Sequence, residues 1–300
     1  MAEHKTDFQV RQILKYNRDG SPDRQTARHQ NLMRCVEQLQ ARGYSKRWDV
    51  HKIGKREATR LVHDWREQGL APRTIANRLV DIRWLADKVG RESEIPSNKD
   101  LGLPLRKNTE GYGQSKSVAP DWGKIASLDE RMALITELRV EFGLRTEEAL
   151  KFQHKVATKT PDQVTLKGSW CKGGRPREIP ITNDRQRDLL ERVASFQTAQ
   201  GDRSMIPGDQ RYRTFYAAYN AARHAAGVSG HEYRHHWAQQ RFQAVSEGIA
   251  APHAGGPAYA ELTPQEQARW NRAAAVVNQE LGHGEGRQDI TSTYIGSRFQ

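Results

Sequence analysis

Cysteine is nearly absent from the 300 residues: only Cys35 and Cys171 occur, with no Cys-x-x-Cys pair. A disulfide scaffold and a thiolate zinc site are therefore not expected, and a reducing compartment fits. Apolar runs of the roughly 18 residues that span a bilayer are missing, and the opening MAEHKTDFQV lacks the apolar core of a signal peptide. The expectation is a soluble, cytoplasmic protein with no membrane partner. No internal repeat is evident. Acidic residues are the other shortage, 36 against 48 lysines and arginines, giving a net charge of +12 and a pI near 9.8. The imbalance is uneven. Residues 1–120 hold 24 basic and 15 acidic side chains, whereas residues 121–300 hold 24 and 21. Such an excess favours a polyanion, most simply nucleic acid, through phosphate contacts and counterion release.

Hydrophobic residues at 36% and charged residues at 28% describe a polar globular chain, long enough for two ordinary domains. Residues 1–23, with a turn-rich Asn-Arg-Asp-Gly-Ser-Pro stretch, read as a mobile arm. From 24 to 95 the pattern is helical. Leu32, Val36 and Leu39 form one stripe, closed by Gly43, and a second helix covers about Lys55 to Glu67. The third starts near Pro72, carries Ile75, Leu79, Ile82, Leu85 and Val89 as one face, and stops at Gly90. That leaves Arg73, Arg78, Arg83 and Lys88 for its outer faces, where DNA contact is expected. Periodicity vanishes over 96–122, a Gly/Ser/Pro/Asn/Lys-rich linker whose Arg106, Lys107 and Lys116 are further candidates for the DNA backbone.

Residues 123–300 alternate differently. An apolar helix through Ile125, Leu128, Leu134, Ile135 and Leu138 leads to FGLRTEEAL, and two short strands, QVTLKGSW and REIPIT, are joined by CKGGRP. Helical patterns follow at about 183–199, 211–226 and 230–246. Thr263, Pro264 and Glu266 form a capping box with proline at the first helical position, opening a helix to about Leu281.

Four polar islands punctuate this second region. They are Arg145 with Glu148, Lys172 between the strands, HEYRHHW with His231 and Arg234, and LGHGEGRQDITSTYIG with His283 and Tyr294. In a helix, His231, Arg234 and His235 share a face, converging an imidazole and a guanidinium on a point that suits a phosphate. A metal is not expected among the 11 histidines: no carboxylate or cysteine stands at ligand spacing beside His231, His235 and His236, and Arg234 would repel a cation.

Taken in order, Arg, Lys, His-x-x-Arg, His and Tyr resemble the tyrosine recombinases, the phage integrase superfamily, over roughly residues 123–300. The resemblance implies a mainly α fold: an N-terminal helical, SAM-like core-binding domain (24–95) and an α-rich catalytic domain (123–300) with a small antiparallel sheet. It also implies site-specific recombination of double-stranded DNA, integrating or excising a mobile element without a cofactor. Several protomers would act together, as a tetramer on two sites, with accessory DNA-bending proteins as possible partners. Tyr294 would be the nucleophile, forming a 3′-phosphotyrosyl bond and freeing a 5′-hydroxyl. A phenol of pKa about 10 needs a base or a cationic field to lose its proton. His231 would accept that proton, Arg145 and Arg234 would bind the phosphate, and His283 would hydrogen-bond a nonbridging oxygen. Lys172 would protonate the 5′-oxygen, with Lys167 as its rival on the same hairpin.

Glu148 reads as an orienting group for Arg145 or a helix cap, and His235 and Trp237 as core. Tyr259 is a weaker rival nucleophile. The Ala/Gly/Pro-rich segment from 243 to 262 stretches the Arg234–His283 spacing to 49 residues, about twice that of compact family members. Two other activities fit the same residues: a type IB-like topoisomerase, and a DNA-binding regulator that keeps the fold without catalysis.

Overall fold

The structure, a computed structural model, describes residues 5–44, 48–103, 113–284 and 287–297, with Gln288 represented by its backbone. The chain divides into two compact units, residues 1–112 and 113–300. The first contains α1 (Lys5–Tyr16), α2 (Pro22–Ala41), α3 (Lys55–Glu67) and α4 (Pro72–Lys88). The second contains α5 (Trp122–Ala126), α6 (Glu130–Phe142), α7 (Thr146–Leu150), α8 (His154–Ala157), β1 (Gln163–Leu166) and β2 (Arg177–Pro180). It continues through α9 (Asp184–Gln200), α10 (Tyr212–Ala225), α11 (Glu232–Val245), α12 (Pro264–Glu280) and α13 (Gln288–Ile295). The protein is mainly helical, as expected. No helix among the described residues is long and apolar enough to cross a membrane.

Caps fix the boundaries. Ser21 accepts a hydrogen bond from the Arg24 amide, with Pro22 at the first helical position of α2. Thr263 and Glu266 close the capping box on α12 reciprocally. The expected helix across 125–138 is instead two, because Asp129 accepts from the Met132 amide and restarts the chain as α6.

In the N-terminal unit the stripes of α2, α3 and α4 meet around Leu32, Leu39, Leu61, Trp65, Ile75 and Leu79, all buried. Each such side chain contributes on the order of 1.5–3 kcal/mol when fully buried. Two expectations need correction here. Residues 5–16 are not a mobile arm: α1 buries Val10 completely and packs Ile13 and Leu14 on the same core, an i, i+3, i+4 pattern. The unit also extends beyond residue 96, since Leu101 and Leu103 join that core.

The C-terminal unit packs α6, α9, α11 and α12 about Leu138, Phe142, Val193, Phe242 and Val277. Its sheet pairs Val164 with Ile179 and Leu166 with Arg177. Alternation along β2 buries Ile179 and therefore Arg177 two residues before it. The inward charge is the first sign of the site.

Candidate active site

A turn between α6 and α7 supplies the anchor. Gly143 ends α6 with φ +59°, and a Cβ there would stand 2.6 Å from the Trp237 ring, so glycine is required twice over. Its carbonyl accepts from Arg234, whose other terminal nitrogen donates to the Leu281 carbonyl at the end of α12. Arg234 is 1% exposed and its Nε has no hydrogen-bond partner. Burial, then the like charges of Arg145 and Arg177, push its pKa down to about 9, so it stays charged at neutral pH.

Arg145 occupies the N-cap of α7, and its guanidinium donates to Glu148 at 2.9 Å. Glu148 is wholly buried and also receives a two-pronged bond from Arg177, at 2.7 and 2.6 Å. Burial alone would raise the carboxyl, but the hydrogen bonds and charge of Arg177, with Arg234 and Arg145, hold it down to about 2. Glu148 therefore aligns two arginines. Arg177 is the member that sequence reasoning missed.

Tyr294 arrives on α13. Its hydroxyl lies 3.0 Å from His231 Nε2, its ring stacks on His235 at 4.4 Å, and the Arg234 guanidinium lies 5.7 Å from the ring centre. The His283 ring is 5.4 Å away. Gln239 of α11 donates to the Tyr294 carbonyl at 3.0 Å, fixing the helix. The long segment before α12 helps: Gly296, at φ +97°, lies against Pro252 and His253. Partial desolvation, then Arg234, Arg139 and Arg145, hold the His231 imidazole down to about 4, although the residue as a whole is exposed. Desolvation, then His231 and Lys116, bring His235 to about 4, and desolvation, then Arg234, Arg145 and Arg177, bring His283 to about 3. All three imidazoles are neutral at pH 7.

Arg145, His231, Arg234, His283 and Tyr294 thus come together. Lys172 does not join them; it is exposed on the turn between the strands. Lys167 lies 5.7 Å over the Trp170 ring. Tyr259 packs edge-on to Trp270 and its hydroxyl accepts from Asn271, tying it to α12 instead. Trp237 is buried and donates to the Glu141 carbonyl.

On α4, three of the expected DNA-facing cations have partners within the protein. Arg83 donates to the Pro96 carbonyl and Asn98, and Lys88 pairs with Asp19 and Asp87. Arg78 lies 5.4 Å over the Trp65 ring with one terminal nitrogen buried. Arg73 remains exposed, as does Lys116 in the other unit, while Arg106 and Lys107 lie outside the described residues. An unforeseen cationic surface lies elsewhere: a cleft of about 1160 Å³ lined by Arg42, Tyr44, Trp48, Lys52, Lys55 and Arg56. Among the described residues, His63, Asp64 and Glu67 have metal-ligand spacing, but both carboxylates already pair with Arg42.

Two family profiles match the chain, "Phage integrase, N-terminal" over residues 6–95 and "Integrase" over 116–240. The chain belongs to the phage integrase superfamily of tyrosine recombinases. The second match takes in Arg145, Lys172, His231 and Arg234 and stops before His283 and Tyr294, so those two stand on geometry. Solved structures agree in fold. A XerH recombinase bound to palindromic difH substrate is 16% identical, covering 96% of this chain and 80% of that one, TM-score 0.59. A lambda integrase dimer bound to a COC′ core site is 16% identical over 99% and 96%, TM-score 0.59. The Tn1549 transposon integrase with circular-intermediate DNA is 14% identical over 97% and 95%, TM-score 0.55. No curated protein matches significantly.

Proposed function

We propose that this chain breaks and rejoins double-stranded DNA at specific sites, through a tyrosyl–DNA intermediate, to integrate or excise a mobile element. The observation that carries this reading is the 3.0 Å contact between the Tyr294 hydroxyl and a neutral His231, beside two arginines held by Glu148 and backbone carbonyls. Tyr294 Oη attacks the scissile phosphorus while its proton passes to His231 Nε2; the P–O5′ bond breaks, leaving a 3′-phosphotyrosine. Arg145 and Arg234 stabilise the charge gathering on the nonbridging oxygens. One such preorganised donor is worth about 3–4 kcal/mol. The leaving 5′-oxygen takes a proton from Lys172, whose turn carries it to the bound duplex. Religation reverses the steps, so no cofactor is consumed.

The lambda integrase relative is a dimer on its core site, and the others are DNA complexes, which supports duplex DNA as substrate and more than one protomer on it. The Lys52–Lys55 cleft would hold the backbone on the N-terminal side.

The test is covalent capture. Wild type and Tyr294→Phe are mixed with nicked genomic fragments of the source organism, denatured, and the attached DNA is sequenced. Adducts with wild type alone, gathered at one locus through a 3′ end, are expected. Adducts scattered without sequence preference would point to a topoisomerase, and an absence of adducts alongside salt-sensitive binding would point to a DNA-binding regulator.

A further inference from the structure

Behind His283 runs a short polar relay. Asn278 of α12 donates through Nδ2 to the Gly284 carbonyl at 3.2 Å, which turns its Oδ1 toward Thr291 of α13. The two oxygens, Asn278 Oδ1 and Thr291 Oγ1, are 2.6 Å apart. Oxygens that close need a proton between them; an amide oxygen has none, so the threonine supplies its only one. Thr291 Oγ1 is also 3.2 Å from His283 Nδ1. With the hydroxyl proton already committed, that contact needs the imidazole to donate.

We propose that Thr291 and Asn278 are positioning residues that fix His283 as its Nδ1–H tautomer, leaving Nε2 as a proton acceptor before DNA binds. The consequence rests on the reading given under Proposed function. An ionised phosphate only accepts hydrogen bonds, so His283 can donate to it from Nε2 only as an imidazolium. The arginines near it, Arg145, Arg177, Arg234 and Arg287, oppose that charge in the DNA-free protein, and the Tyr294 ring and Asn278 also lie beside it. An entering phosphate offsets the arginines, and His283 then takes one proton from solvent, with no other bond changed. Thr291 also stands one helical turn before Tyr294. The helix that carries Tyr294 therefore also carries the hydroxyl that sets the histidine's tautomer.

The measurement is nitrogen-15 NMR of the full-length, DNA-free protein at pH 7, with His283→Gln used to assign the signals. Wild type should show a pyrrole-type Nδ1 and a pyridine-type Nε2 for His283. Thr291→Val should lose this preference, moving the pyridine-type signal partly or wholly to Nδ1, and Thr291→Ser should restore it. A pyridine-type Nδ1 in wild type, or a Thr291→Val spectrum identical to wild type, overturns the proposal. Because no DNA is present, this result stands whether or not capture yields an adduct, and an absent adduct would count against the enzymatic reading alone.

Discussion

In the N-terminal unit each deeply buried aspartate is answered by two arginines. Asp81 meets Arg24 and Arg28, and Asp64 meets Arg42 and Arg60. In the C-terminal unit Glu148 likewise serves two arginines, Arg145 and Arg177, but a third, Arg234, is buried deeper than either and has only carbonyl hydrogen-bond partners. In the first arrangement every one of these cations faces a carboxylate. The second carries an excess of positive charge in a place where desolvation is costly, which a fold tolerates when an anion from outside completes the balance. A phosphate has the right charge and enough oxygens for the remaining guanidinium N–H groups.

The sharpest way to break this contrast is to remove the carboxylate from each unit. Asp81→Asn and Glu148→Gln should both cost about 3–5 kcal/mol, the usual penalty for stranding a buried charge, read as a fall in urea midpoint. They should part when inorganic phosphate is added. Anion should restore much of the loss in Glu148→Gln, whose three arginines then have a substitute, and little of it in Asp81→Asn. Equal rescue of both would mean that the two units handle charge alike.

Arg234→Met addresses the same contrast from the cation side. Stability should hold or rise, since replacing an uncompensated buried charge with an apolar chain of similar length removes a desolvation penalty. DNA cleavage should fall about 10²–10³-fold, as for loss of one preorganised donor. The pairing of thermal melts with capture yield checks both halves. A variant that loses stability and activity together would show that the carbonyl bonds to Gly143 and Leu281 matter more than the charge.

Much of this was legible in the chain. Thr263-Pro264 and the Pro72 stripe mark helices where cap or proline signals and periodicity agree, because those signals are local. The residues around Tyr294 were legible for another reason: phosphoryl chemistry needs few residue types, and those types stood in isolated islands. Glu148 with Arg177 was not, since a strand arginine ordinarily faces water; only its two-residue spacing from Ile179 placed it inward. The arm at residues 5–16 was misread because its apolar residues are few, though three of them lie on one face. Arg83 and Lys88 were read as outward-facing because the stripe of α4 shows one covered side, while the segments at Pro96–Asn98 and Asp19 cover others. Those are tertiary facts, invisible to periodicity.

With its buried aspartates engaged by arginines, the N-terminal unit is expected to grip DNA through cations left exposed at its surface. Lys52 and Lys55 line the cleft with Tyr44 and Trp48, and both are exposed. Lys55→Ala should weaken binding to every duplex about equally and lower the slope of log affinity against log salt by about 1, the signature of one lost phosphate contact. Cleavage of bound DNA should be unchanged, because the Tyr294 cluster is built wholly from residues 113–300. Arg83→Ala should instead leave the salt slope alone and lower the melting temperature, as it removes the bonds to Pro96 and Asn98. Fluorescence anisotropy across a salt series separates the two, and a slope change in Arg83→Ala would return α4 to the DNA-facing role that its sequence suggested.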